Sequence, residues 1–432
     1  MRRWQSLATS NLLLPVVVSC VVLSGIALRV IWPADIEYKL DEQWTFEHVS
    51  ALLNGANWPP VGMGTSVGFP NPGMSLWVFA ALAYGSGAQS APQLASAVQC
   101  LNVVALLALA LFSCFALSRH DRERWLWAVA LWAANPLAII FERKIWPPSV
   151  LPLAAVVLMV SWWYRRYPAM SLLCGLVCAL MAQIHLGVVF LAAALFAWTW
   201  LHDRTEFRVR YWISGAAFGA LPAVPWLLEL LARAGESSLR WRFPIPGFFL
   251  RWVTQPFGFG IDYTLGRQHF IDYLSSPTIA GRPTFAMAIV HVALIALFVV
   301  VVVRFVRTVV AKPWPGSGRV FIGDKPESVL VNAALWGYGG LLTIITVFGS
   351  GSNRHYLIVV APIMAIWCVR MVQAGEPPSG RPWTRLILAA LCVAQVAASA
   401  GLLDYIHRTQ IIVGEYGPTW GSQQPGFIKP GP

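Results

Sequence analysis

The chain has 432 residues, 57% of them hydrophobic and only 12% charged, with a mean hydropathy of +0.61. A soluble domain carries about a quarter charged residues, so this composition excludes one and points to a polytopic membrane protein. The net charge of +12 sits mostly in short loops between apolar runs, which is the positive-inside pattern and not a nucleic-acid footprint.

The apolar runs are too long and continuous for barrel strands, so helices are expected, each satisfying its own backbone. Met1-Arg2-Arg3 precedes an apolar run from Asn11 to Trp32. That run is longer than a signal-peptide core, and reads as an uncleaved anchor with a cytoplasmic N-terminus. The segment after it, the first outer loop at 33–91, is therefore outside. Five of the chain's 19 acidic residues lie between Asp35 and Glu47. Within that stretch Asp35 and Glu37 read as bystanders or as supports behind the site, and Asp41-Glu42 as the pair of interest. From Thr45 to Asn54, Phe46, Val49 and Leu53 share one helical face, ended by Gly55, which predicts a short helix on the membrane surface. A Gly/Pro-rich loop follows, then a second interfacial helix from Met74 to Tyr84, too short to span.

Spanning segments are expected over Pro92–Leu117, Trp125–Phe141, Pro148–Tyr164, Ala169–Ile184 and Leu186–Leu201, the last two joined at His185. Trp212–Leu231 carries Pro222 and Pro225 and should kink. A long polar stretch at 232–284 reads as an outer loop. Phe285–Val303, Val329–Phe348, a segment from His355 to Arg370, and Leu386–Leu403 complete the bundle. The tail at 404–432 lies outside. The whole chain, 1–432, reads as a single all-α membrane domain of about 11 transmembrane helices plus two interfacial ones. The seven cysteines fall within apolar runs and read as small buried hydrophobes, without disulfide or zinc spacing.

Several sequence-distant polar clusters share the outer mouth. A carboxylate at Asp41 can act as a general base toward an acceptor hydroxyl, with Glu42 about 100° round the helix to orient a neighbour. Arg143-Lys144, at the end of the third segment, suits a lipid-linked phosphate. His185 is an ionisable group at a turn between apolar helices, where it can meet phosphate as an imidazolium, join a metal site or cap a helix. Arg240-Trp241-Arg242 mixes arginine with an aromatic and reads as an interfacial platform or as a lid over a lipid headgroup or sugar. Asn353-Arg354-His355-Tyr356 opens the tenth segment at the same surface.

The order of these features resembles the GT-C glycosyltransferases. Leu40-Asp41-Glu42 opening a helix that ends at Leu53-Asn54-Gly55, followed by a Pro/Gly loop and a second short helix, resembles their first outer loop. The nearest resemblance is to bacterial protein O-mannosyltransferase and aminoarabinose-transferase-like members. Arg143-Lys144-Ile145-Trp146-Pro147-Pro148-Ser149 resembles an Arg-Lys-x-Trp-Asn-Pro-Ser stretch of short bacterial members, with Pro147 replacing Asn. Gln183-Ile184-His185-Leu186 and Arg354-His355-Tyr356-Leu357 match weaker patterns there. Asn71-Pro72-Gly73-Met74 lacks the usual Lys before the second short helix.

The resemblance implies a cell-envelope enzyme of the cytoplasmic (inner) membrane. It would move a sugar from a polyprenyl-phosphate-linked donor to a hydroxyl of a protein, lipid or glycan acceptor, with inversion and on the outer face. Asp41 inherits the role of base and Glu42 a supporting one. Arg143, Lys144, His185 and Arg354 would meet the donor phosphate; Arg240, Trp241, Arg242, His355 and Tyr356 would serve acceptor or lid. The scheme needs no cofactor, although Glu42 and His185 offer ligands for a divalent metal, and it involves membrane lipid but no nucleic acid. The alternatives are a lipid-linked saccharide flippase or transporter, and an inactive relative that scaffolds envelope assembly.

Overall fold

In the computed structural model, the residues described are 13–64, 70–232, 243–310, 326–348, 353–374 and 382–427. Helix α1, Leu13–Val30, stops where Pro33 cannot continue it and Trp32 turns to a φ of 50°. Helix α2 runs from Leu40 to Leu53. Its buried stripe is Glu42, Thr45, Val49 and Leu52, a spacing of three and four that keeps one face inward. The expected face of Phe46, Val49 and Leu53 is thus rotated: Leu53 is 42% exposed and Glu42 only 1%. Glu42 turns inward instead, against the cavity described below. A two-stranded pair, β1 (Val61–Gly64) with β2 (Pro70–Pro72), leads into α3, Met74–Ser86. At about 20 Å, α3 is shorter than the hydrocarbon core of about 30 Å.

Helices α4 (Ala91–Ala116) and α5 (Arg119–Ala134) follow. The third expected segment breaks at Asn135-Pro136. There the Asn135 side chain accepts from Ala138 N at 3.1 Å and donates to Gln255 O at 2.7 Å, starting the short α6, Pro136–Phe141. A single 3-10 turn precedes α7, Leu151–Trp163. Helices α8 (Pro168–Ile184) and α9 (Val188–His202) are joined at His185, as expected. Helix α10, Val209–Ala232, has one 3-10 turn at Leu221–Ala223, where Pro222 removes a helical bond. It crosses α8 at backbone contact: a Cβ on Gly175 would lie 1.9 Å from Trp212 O.

The long polar stretch is not simply a loop. It holds α11 (Gly247–Thr254), α12 (Ile261–Ser275) and a small hairpin, Thr278–Ile279 with Arg282–Pro283. Arg240, Trp241 and Arg242, the lid candidates, lie outside the described residues, as does Met1-Arg2-Arg3. Helix α13, Ala286–Val310, leaves Ile289, Val292, Ile295 and Val299 exposed, which marks it as lipid-facing. Helices α14 (Pro326–Ile345), α15 (Arg354–Val372) and α16 (Pro382–Thr409) complete the bundle. Among the described residues six helices, α4, α10, α13, α14, α15 and α16, are long and apolar enough to cross a membrane. Helix α15 lies at the centre, with nearly every residue from Leu357 to Cys368 buried.

Candidate active site

Three consecutive residues after α6 have three different fates. The Glu142 carboxylate is fully enclosed, paired with Arg29 Nε at 2.6 Å and accepting from Trp132 Nε1 at 2.8 Å. Its carbonyl accepts from Asn102 Nδ2 at 3.0 Å, which ties α1, α4 and α5 together. The Arg143 guanidinium donates to Leu28 O at 2.8 Å, Arg29 O at 3.2 Å and Trp32 O at 3.0 Å. It caps the end of α1, whose last carbonyls have no helical partner. Arg143 therefore does not line the cavity, which corrects the expectation that it meets a donor phosphate. Only Lys144 reaches the cavity, with its Nζ ion-paired to the buried Glu37 carboxylate and about 5.4 Å from the Phe141 and 5.3 Å from the Trp146 ring centres.

The cavity has a volume of about 520 Å³. It brings Asp41, Glu42, Lys144, His185, His355 and Tyr356 together, from four of the expected clusters. Glu37, Lys39, Asn71, Tyr263, Asn353 and Glu415 also line it. The Asp41 carboxylate is half-buried, and among the described residues no hydrogen bond or ion pair holds it. Its backbone carbonyl instead accepts from Thr45 Oγ1 at 2.8 Å. Asp41 is thus placed on a rigid first turn with its carboxylate available.

Glu42 takes a different role from its neighbour. It accepts from Lys39 N at 3.3 Å, closing the helix N-terminus in the manner of a capping box. Burial, and then the Glu37 charge, pushes its carboxyl up to about 8, against the opposing pull of Lys144. At neutral pH Glu42 holds its proton, and the wall beside Asp41 carries one negative charge fewer.

Lys39 lies 2.9 Å from the Glu37 carboxylate and 3.7 Å from that of Glu415. Burial works against its ammonium, but the two carboxylates outweigh this and raise its pKa above the ordinary value. Tyr263 is pushed up to about 12 by burial and by Glu415, to which its phenol donates.

The imidazoles sit at the far side. His185 and His355 have ring centres 5.1 Å apart, and His185 lies 5.2 Å from the Tyr356 ring. Gly187 makes this packing possible, since a Cβ there would lie 2.4 Å from Tyr356 Cε1. Enclosure by protein pushes His185 down to about 4, so its ring is neutral at physiological pH. Of the three roles open to His185, this weighs against the imidazolium; a neutral ring still offers one N–H. Arg354 does not line the cavity. Its guanidinium stacks on Tyr263 at 4.8 Å, one residue behind the wall. Among the described residues no three His, Cys, Asp or Glu side chains are grouped to share a metal ion.

Sequence reasoning left Glu37 between bystander and support, and passed over Lys39, Tyr263 and Glu415. The Glu37–Lys39 spacing of two carried a usable signal, because in an extended stretch it puts both side chains on one face. Glu415 carried none, since its position depends on how the chain returns after α16.

Fold and site define a polytopic helical membrane protein with a carboxylate- and lysine-lined cavity at one end of its bundle. No protein-family model and no curated protein matches the chain. Among solved structures it is similar to the Archaeoglobus fulgidus oligosaccharyltransferase in its apo form, with 12% identity and a TM-score of 0.46. That match covers 96% of this chain and 58% of the other. The same protein tethered to an acceptor peptide containing the NVT sequon gives 13% and 0.47, covering 90% and 55%. ArnT from Cupriavidus metallidurans, bound to undecaprenyl phosphate, gives 13% and 0.43, covering 90% and 76%. Both are GT-C glycosyltransferases, the class that the sequence motifs resemble. The chain spans little more than half the length of the oligosaccharyltransferase. At this level of likeness the functional reading rests on the cavity's own residues.

Proposed function

We propose that the protein transfers a sugar from a polyprenyl-phosphate-linked donor to an acceptor hydroxyl, on the outer face of the cytoplasmic membrane and with inversion. One observation carries this reading: the polar cavity adjoins an apolar groove. The groove, of about 450 Å³, runs between α8, α9 and α10, where Ala179, Ala182, Ala192, Ala216 and Trp226 line it. Leu186 belongs to both spaces. A ligand with a hydrocarbon tail and a phosphate–sugar head fits that junction, with the tail in lipid-like surroundings and the head among charged groups.

In this scheme Asp41 removes the proton of the acceptor hydroxyl, and the oxygen attacks the anomeric carbon. The carbon–oxygen bond to phosphate breaks, and its electron pair leaves on the polyprenyl phosphate. Lys144 and the N–H groups of His185 and His355 stabilise that charge. Arg354 adds positive potential from behind Tyr263. Glu42, protonated, keeps the wall beside Asp41 from repelling the anionic donor. The residues present serve this scheme without a cofactor.

The test uses membranes containing the full chain, supplied with radiolabelled polyprenyl-phosphate sugars. Labelled product with release of polyprenyl phosphate, lost in Asp41→Asn, supports the reading. Near-normal transfer by Asp41→Asn removes Asp41 from the role of base.

A further inference from the structure

After α16 the chain turns back along the acidic segment. Glu37 and Thr419 form an antiparallel bridge, as do Ile411 and Pro418. Tyr38 N donates to Pro418 O at 3.1 Å, and Trp420 N to Ile36 O at 3.0 Å. Of the two readings open to Asp35, bystander or support, its contacts favour support. Asp35 is buried, and its carboxylate accepts from Gln410 Nε2 at 2.9 Å and meets His407 Nδ1 at 2.7 Å. Its carbonyl accepts from Tyr416 Oη. A carboxylate is stable in such a place only where donors offset its lost hydration. Here every donor comes from the end of α16 or the returning segment. The segment also presses on α12: a Cβ at Gly414 would lie 2.3 Å from the Leu265 carbonyl carbon.

The returning segment delivers Glu415 to the cavity wall. Glu415 reaches two elements at once. Its carboxylate lies 3.7 Å from Lys39 Nζ, its carbonyl accepts from the same ammonium, and its side chain accepts from the Tyr263 phenol on α12. The result is an alternating chain of charges, Lys144–Glu37–Lys39–Glu415, closed by Tyr263. At its buried end, Lys144–Glu37, moving one member leaves the other's charge unpaired inside the protein. Lys39 and Glu415 are 32% and 52% exposed, so that end aligns side chains by a screened attraction and by the hydrogen bond to Tyr263.

We infer that residues 410–424 form a built-in wall of the active site, latched on Asp35, and that Glu415 is a positioning residue that holds Lys39 and Tyr263 in place around Asp41. The inference rests on reading the cavity as a glycosyl-transfer site, but its test does not depend on turnover.

Met63 lines the same cavity, so Met63→Cys reports access. In full-length protein in membranes, Asp35→Ala speeds labelling of that cysteine by a membrane-impermeant maleimide about fivefold or more, because local opening governs access. Equal rates overturn the wall. If Asp35→Ala does not fold, Gln410→Ala with Tyr416→Phe loosens the same latch. For Glu415, the readout is acetylation of Lys39 at pH 9, followed by mass spectrometry. Glu415→Gln removes a carboxylate that holds the ammonium protonated, so Lys39 reacts about twofold faster; unchanged reactivity overturns the positioning role. In the transfer assay Glu415→Gln raises the acceptor KM about tenfold with kcat nearly constant, and Glu415→Asp recovers most of it. If the parent protein transfers no sugar, the functional reading falls while the two labelling experiments still decide this one.

Discussion

Lys144 and Glu37 form a buried ion pair that joins the end of α6 to the acidic segment ahead of α2. Buried pairs are worth little over an apolar replacement, but removing one partner strands the other at a cost of about 3–5 kcal/mol. Lys144→Met should therefore lower stability by about 3 kcal/mol, Lys39 softening the loss. Adding Glu37→Gln should restore most of it. If Lys144 also meets the donor phosphate, the double variant regains its melting temperature but keeps a raised donor KM. Thermal unfolding in detergent and the transfer assay separate the two roles.

Asp41 sits on the first turn of α2 with its carboxylate unengaged among the described residues. Asp41→Asn should reduce kcat by about 10²–10⁴-fold, the range of general-base contributions. Stability should shift by no more than about 0.5 kcal/mol, since among the described residues no side-chain hydrogen bond or ion pair is lost. A large fall in melting temperature would show a structural role instead.

Glu42 gives a pH signature. Its carboxyl is raised to about 8 in the folded protein, whereas an unfolded glutamate titrates near the ordinary value of 4.5. The folded state therefore binds more protons across that interval, and its stability falls as pH rises. The stabilisation is complete below about 4.5 and lost as pH passes about 8, with a slope of at most about 1.4 kcal/mol per unit. Melting temperature should decline from pH 5 to 8.5, and Glu42→Gln should flatten that decline.

Arg143 braces α1 by three hydrogen bonds to carbonyls. Arg143→Met leaves them unpaired at about 1 kcal/mol each. The variant should melt earlier while its folded fraction keeps a normal donor KM. A raised donor KM at full stability would return Arg143 to the phosphate site.

His185 is held neutral, its ring pushed down to about 4. Donor KM should accordingly show no inflection from His185 between pH 6 and 8. The profile of His185→Gln, which keeps an N–H donor, should match that of the parent in shape. An inflection near 6.5 that vanishes in the variant would mean the ring is charged there.

Much of the architecture is legible in the chain. Apolar runs, prolines and glycines act locally, so the positions of α4, α8, α9 and α15 follow from the residues inside them. Pro222 marks the irregular turn in α10, and Asn135-Pro136 contains the break that the reading of one continuous third segment missed. Half of the site is legible for the same reason. Asp41, Lys144, His185 and His355 stand out because a polar residue beside an apolar run needs an explanation.

The sequence by itself determined that this is a helical membrane bundle with ionisable groups gathered at certain segment ends. Only the tertiary structure decided which of those groups face the cavity. Glu142, Arg143 and Lys144 are consecutive, yet one pairs with Arg29, one caps α1 and one lines the site. Asp35 and Glu37 look alike in sequence, yet one latches the returning segment and the other neutralises Lys144. The reason is physical. Helix formation is settled by neighbours within a few residues, whereas a buried charge persists only opposite a counter-charge or donor, and Arg29 for Glu142, Glu37 for Lys144 and Gln410 for Asp35 each lie more than a hundred residues away.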